Sequence, residues 1–343
     1  MRAAFLHGVR DIRLGDLASP ARVPGDVLLT VSAVGLCGSD LHYYLEGGIG
    51  TAQQVRQPFV PGHEFAARVA EDRPDLGLAA GQLVAVDPAR PCGHCDWCRA
   101  GHHNLCPDTV FVGAPPHHGA LTEQIAVQPG QIHPVPDDFT PTQVAMLEPL
   151  GVCIHAVDLA RPHLLETVAI LGCGPVGLGV LQLVKLGGAG RIWAIDPVDY
   201  RAEAARAIGA DAAAPSYQAV LDDTGGRGVD LVIEATNAPE AFHHAAEAVA
   251  IGGRIVLVGV PEGDSYTVPA SLIRRKGLTI KTSRRMGHVY PRAIDLVARG
   301  LVDVDGMVSH HFDLDGTAEA FAMQAAYRDR ALKSMVHPNG RGT

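Results

Sequence analysis

The chain has 343 residues, of which 47% are hydrophobic and 19% charged, and its formal net charge is -9. That length predicts two domains and a core large enough to need no staple. The acidic balance, with no basic stretch beyond RRK at 274–276 and RR at 284–285, excludes a nucleic-acid partner, and the lack of any apolar run of about 18 residues excludes a membrane helix.

The opening MRAAFLHGVRDI is too short and too polar for a signal peptide, so a cytoplasmic protein is expected. In that compartment the seven cysteines are thiols or metal ligands more often than disulfides. Residues 26–34, DVLLTVSAV, predict a strand, as do 66–70 and 82–87. Prolines and glycines punctuate the rest up to about residue 150 without a long helical period, which predicts a β-rich domain with irregular loops.

The texture changes near residue 151. Apolar strands are predicted at 168–172, 191–196, 229–235 and 254–259. The helical stretches PVGLGVLQLVKLG, YRAEAARAIGA and PEAFHHAAEAVAIGG lie between them, the last with a glycine stop. This alternation predicts a parallel sheet with helices on both faces. A helix at 291–300, a short strand in HHFDL and a helix in GTAEAFAMQAAYR follow. The α/β segment therefore reads as an insertion in the β-rich domain, to which the tail returns.

Within the α/β segment, GCGPVG supplies Gly172, Gly174 and Gly177 after a strand and at the head of a helix. Asp196 ends the next strand, 22 residues after Gly174. In that context the pattern predicts a dinucleotide site. Gly172 permits the tight turn, Gly174 lets backbone amides approach a pyrophosphate, and Gly177 lets the helix lie close to the sheet. The helix N-terminus, with Pro175 and Val176, attracts the phosphates. Asp196 accepts hydrogen bonds from the adenosine ribose and repels a 2′-phosphate, which favours NAD over NADP. Arg201 is a candidate to lie over the adenine or to be a solvated helix residue.

Cys92, Cys95, Cys98 and Cys106 follow the spacing C-x2-C-x2-C-x7-C. Four thiolates at this spacing fit a tetrahedral zinc closed to substrate, hence structural. An iron–sulfur cluster is a second reading, but the ferredoxin-like spacing ends in three residues rather than seven; disulfides are a third. His94, His102 and His103 lie nearby and are not needed. Cys153 and Cys173 read as core thiols, and His117 and His118 as residues of a surface loop.

VGLCGSDLHYY (34–44), PGHEF (61–65) and MLEPLG (146–151) each put a metal-ligating side chain in a glycine- or proline-marked turn: Cys37, His63, Glu64 and Glu148. CGSDLHYY, PGHE, the four-cysteine lobe, EPLGVCIHA, GCGPVG and YPRAI follow one another as in the zinc-dependent medium-chain dehydrogenases/reductases. The sequence resembles that family over nearly its whole length, and within it the sorbitol/xylitol (polyol) dehydrogenase group.

The resemblance implies an α/β protein with a GroES-like β-rich catalytic domain, residues 1–152 and 286–343, whose structural-zinc lobe spans 88–108. A doubly wound Rossmann NAD-binding domain, 153–285, is inserted in it. Cys37 and His63 are implied to hold a catalytic zinc with a water, and the third ligand is open between Glu64 and Glu148. Three protein ligands leave a position where a bound alcohol loses its proton, as zinc-bound water falls to pKa about 7. Ser39 relays that proton, His42 passes it on, and the nicotinamide takes the hydride. Tyr43, Phe111 and Arg285 are implied substrate contacts, and Val258 and Val260 line the cofactor.

Met286 stands where an aromatic residue follows the matching arginine in the animal sorbitol enzymes. With Arg284 it is expected to alter the polarity of the pocket, the alternative being that Arg284 points to solvent. The expected reaction is oxidation of a secondary hydroxyl of a polyol to a ketose. Acid-sugar (L-idonate-like), butanediol and threonine dehydrogenases are the alternatives within the family, and a zinc-free enone or quinone reductase is the alternative class. A homotetramer or homodimer is expected, formed by edge pairing around 254–282.

Overall fold

In the computed structural model, which describes residues 1–341, the apolar stretch at 26–34 becomes the strand Val27–Gly35, most of whose side chains are buried. It lies inside a seven-stranded sheet, in the order Ile132–Pro134, Leu83–Val86, Glu64–Val69, Val27–Gly35, Ser334–His337, His310–Asp313, with Gln124–Val127 also paired to Val27–Gly35. The C-terminal strand enters this sheet through the pairs Met335↔Gly35 and Val336↔Val34. The tail thereby belongs to the first of two compact units, which comprises Met1–Glu148 and the chain from Tyr290 onward.

The second unit is Pro149–Val289. Its six strands are all parallel, in the order Ala212–Ala214, Arg191–Ile195, Thr167–Leu171, Val229–Glu234, Val249–Leu257, Thr279–Thr282. The central strands are continuous apolar runs because helices cover both faces. Ala169, Ile170, Leu231 and Val232 are wholly buried. This is the doubly wound α/β arrangement. Among the described residues no helix is long and apolar enough to cross a membrane.

Three expectations about local structure need correction. The region before residue 150 does contain helix, beginning with α1 (Gly38–Glu46). Its start is fixed by Asp40, whose Oδ2 accepts from the backbone N–H of Cys37 at 3.0 Å, rather than by a Ser or Thr cap. Glu148 is not in a turn: it lies in the first turn of the helix Leu147–Ala160, where Pro149 is tolerated because no backbone donor is required there. The helix predicted to stop at the glycines of AIGG ends at Ala248, and Val249 is already strand. Its terminal carbonyls are satisfied by Lys276, whose Nζ donates to the carbonyls of Ala246, Glu247 and Val249.

Candidate metal centre and cofactor-binding loop

Two separated segments of the first unit bring Cys37 together with the adjacent His63 and Glu64, with one donor atom from each within 4.8 Å of the others. Cys37 is the N-cap of α1, and Glu64 opens the strand Glu64–Val69 just after His63. Asp40 fixes the spacing between these segments. Its Oδ2 holds the amide of Cys37, and its Oδ1 accepts from the amide of Gly62 at 3.2 Å. The same Oδ1 stands 3.6 Å from His63 Nδ1. That is too long for a hydrogen bond, so the interaction is between charges through space.

Burial disfavours a charged His63, yet Asp40 and Cys37 outweigh it and raise its pKa well above the usual value. The negative surroundings suit a positive charge, beside a buried ring nitrogen with no hydrogen-bond partner. The donor set of one sulfur, one imidazole and one carboxylate is chemically that of a zinc site with an open position.

Glu148 is outside this cluster among the described residues, although it is buried nearby. Burial pushes its carboxyl up to about 8, aided by Glu64 and Asp87 and opposed by His63. Between the two carboxylates left open by the sequence, the geometry brings Glu64 to Cys37 and His63. Glu64 has a partner that sequence reading missed: Lys333 Nζ donates to its Oε2 at 2.5 Å and to the carbonyl of Leu36 at 3.0 Å. A lone lysine in the apolar stretch ALKSMV was the available signal.

The remaining predicted residues of this unit divide. Ser39 and His42 lie on α1, and His42 is buried with its Nδ1 2.5 Å from Glu46 Oε1. Phe111 stacks at a tilt on His63, with ring centroids 5.3 Å apart. Tyr43 is 3% exposed, donates its hydroxyl to Gln53 at 3.0 Å and packs edge-on against Phe59. His118 Nδ1 accepts from the amide of Val60 at 3.0 Å, a structural use.

The sulfurs of Cys92, Cys95, Cys98 and Cys106 also lie within 4.8 Å of one another, and all seven cysteines are free thiols. Cys92 and Cys98 Sγ are 4.0 Å apart, close to the edge of about 3.8 Å that a tetrahedron with 2.3 Å zinc–sulfur bonds requires. Backbone amides already point at three of the sulfurs: Cys92 N at Cys106, Cys95 N at Cys92, and Cys98 N at Cys95. Burial drives the Cys98 thiol up to about 12, while the Cys92 amide and Thr109 bring Cys106 down to about 6. Such crowded thiols ionise together only around a cation, and four sulfurs leave no position open for substrate.

In the second unit, Gly172 has φ +91, and a Cβ there would meet the Ala235 carbonyl at 2.6 Å. A Cβ on Gly177 would run into the carbonyl of Gly172, so helix and turn touch through their backbones. Pro175 and Val176 open the helix Pro175–Leu186, with Gly174 as its N-cap. Asp196 binds the loop itself, its Oδ2 accepting from Cys173 N at 2.8 Å and its Oδ1 from Val198 N at 2.9 Å. A carboxylate retains further lone pairs for ribose hydroxyls.

Arg201 lies beside Asp196 at 3.9 Å, its side chain only 16% exposed, so it is not a solvated helix residue. Val258 and Val260 follow the strand Val249–Leu257, and the amide of Val258 is held by the Glu234 carbonyl at 2.8 Å. Cys173 is buried, and burial together with Asp196 keeps it a thiol with a pKa of about 12. Arg285 has a left-handed backbone, φ 55. Met286 is buried against Gly151, where any side chain would strike its sulfur; packing within the second unit accounts for it.

A doubly wound parallel sheet with a glycine turn at the head of a helix, together with a β-rich unit whose three-donor and four-sulfur clusters could each hold a metal ion, fits a nicotinamide-dependent, zinc-binding dehydrogenase. Residues 23–137 match the alcohol dehydrogenase GroES-like domain, and residues 175–299 match the zinc-binding dehydrogenase domain. The chain is 34% identical to sorbitol dehydrogenase of Bacillus subtilis across 99% of this chain and 98% of that protein. It is 31% identical to L-idonate 5-dehydrogenase of Vitis vinifera, across 94% and 91%. An Escherichia coli alcohol dehydrogenase complexed with NADH superposes with a TM-score of 0.88 at 26% identity, covering 98% of this chain and 99% of that one. The chain belongs to the zinc-dependent medium-chain dehydrogenase/reductase family.

Proposed function

We propose that the protein oxidises a secondary hydroxyl of a polyol such as sorbitol or xylitol to the ketone, with NAD as hydride acceptor. The observation that carries this reading is the convergence of Cys37, His63 and Glu64 on one point, beside relatives of nearly full length that act on polyols. Zinc at that point supplies an electrophile that acidifies a bound hydroxyl, and the nicotinamide accepts hydride. The chain's own residues do the rest. Asp40 holds the amides of Cys37 and Gly62 and so spaces the segments that carry the donors, Lys333 neutralises Glu64, Ser39 and His42 carry the proton away, and Phe111 walls the site. Gly172, Gly174, Gly177 and Asp196 seat the dinucleotide.

Dialysis against a chelator should abolish NADH formation from polyols, and added zinc should restore it. Full turnover by metal-free protein defeats the proposal. An acid sugar is the second reading, favoured by the L-idonate relative, and a substrate panel followed by NADH absorbance separates the two. We assign a homotetramer or homodimer on the ground that Thr279–Thr282 forms an outer edge of the parallel sheet, open to pairing with a second copy; light scattering on the eluted protein tests it.

A further inference from the structure

Helix α1 carries three polar residues in one stripe. Ser39, His42 and Glu46 stand at i, i+3 and i+7, a spacing that places them along one helix face. The stripe starts two residues from the N-cap Cys37, passes through a buried imidazole and ends at solvent: the His42 side chain is 8% exposed and that of Glu46 36%. The contact between them is close, His42 Nδ1 to Glu46 Oε1 at 2.5 Å.

We propose that Glu46 is a positioning residue for the proton transfer, the partner that fixes the ring orientation and tautomer of His42. An ionised carboxylate at Nδ1 makes that nitrogen the donor and leaves Nε2 as the ring's basic atom. In the oxidation, the substrate's C–H hydride goes to NAD. Its hydroxyl proton goes through Ser39 to His42 Nε2, giving ketone, NADH and a His42 imidazolium paired with Glu46. The imidazolium then returns the proton to water, so the reaction releases one proton for each NADH.

The inference rests on the proposed reading of the site, and its test separates the two. Glu46→Gln keeps size and an acceptor oxygen but removes the charge. In the zinc-loaded enzyme it should lower kcat for polyol oxidation roughly tenfold, as loss of an orienting partner does, with KM changed less than twofold. Glu46→Asp should recover part of the loss. In a His42→Ala background the same substitution should have no further effect. Independently of turnover, nitrogen-15 spectra of the His42 ring should show the Nδ1–H tautomer in the wild type and a weakened, upfield Nδ1 proton in Glu46→Gln. Unchanged ring spectra, or equal kcat losses in the presence and absence of His42, overturn the inference. Intact ring coupling in a protein that oxidises no polyol overturns the function and leaves the His42–Glu46 pair standing.

Discussion

Lys333 and Glu64 form an ion pair of 2.5 Å across 269 residues of sequence, and both side chains are almost wholly buried, 3% and 1% exposed. One end of the pair belongs to the cluster of three metal donors. Burial works against a charged Lys333, but Glu64 and Cys37 hold it protonated by raising its pKa. The lysine thus balances the charge of a carboxylate that a divalent cation also needs. A cation held by Cys37, His63 and Glu64 would compete with this lysine for the Glu64 carboxylate.

That competition predicts an asymmetric effect of Lys333→Met. In metal-free protein the substitution leaves a buried carboxylate uncompensated, which costs about 3–5 kcal/mol. In zinc-loaded protein the cation takes over the compensation, and the loss should be less than half as large. Thermal melts of both forms of wild type and variant measure this directly. Equal destabilisation of the two forms contradicts the competition.

The cysteine lobe predicts the opposite separation, stability without chemistry. Cys98→Ser removes one of four sulfurs that lie within 4.8 Å of one another. Metal analysis should find one zinc per chain instead of two, and the melting temperature should fall by an amount corresponding to more than ~3 kcal/mol. Turnover per folded molecule, counted by NADH titration, should stay within about twofold of wild type. A loss of kcat beyond tenfold in the folded fraction counts against a purely structural role.

Asp196 does two things at once, which sharpens the usual expectation for a strand-end acid. Its oxygens accept from the amides of Cys173 and Val198, so Asp196→Ala both removes the proposed ribose acceptor and orphans two loop donors. NADH affinity, read by fluorescence titration, should drop at least tenfold, and stability should fall by about 1–3 kcal/mol. NADP should gain little, because the loop that seats either dinucleotide is loosened. A clean switch to NADP with undiminished stability excludes the loop-holding role.

The glycine turn and the cysteine lobe were legible in the sequence because their demands are local. Gly172 needs a positive φ, Gly177 must touch the backbone of Gly172, and four sulfurs must reach one point within a span of fifteen residues, 92 to 106. The proposed metal donors Cys37, His63 and Glu64 were legible as residue types, whereas their convergence follows from sheet register that no local pattern encodes. The proline and glycine around Glu148 carry the signature of a turn, although proline in a first helical turn breaks nothing. Helix α1 escaped because nine residues with two adjacent tyrosines give no clean helical period. Lys333 and Asp40 act through partners 269 and 22 residues away, a relationship only the folded chain displays.

The core of the second unit offers a prediction about acid. Asp230 sits near the start of the strand Val229–Glu234, beside Thr167 at the head of the neighbouring strand. Burial pushes its carboxyl up, but the Thr167 hydroxyl at 2.5 Å, Arg227 and the Thr167 amide pull harder, and the pKa falls to about 2. The unfolded chain binds that proton near pH 3.9. A depressed folded-state pKa contributes stability that is complete above about pH 4 and disappears as the pH falls toward 2. Asp230→Asn should therefore be less stable than wild type at pH 7. The gap should be modest, since Asp230 and Arg227 are partly exposed and screened by water. It should close between pH 4 and 2 as the wild-type carboxyl protonates. Urea unfolding of the metal-free forms across that range reads the difference, and a gap that stays constant with pH shows that the carboxylate's charge is not what holds these two strand ends together.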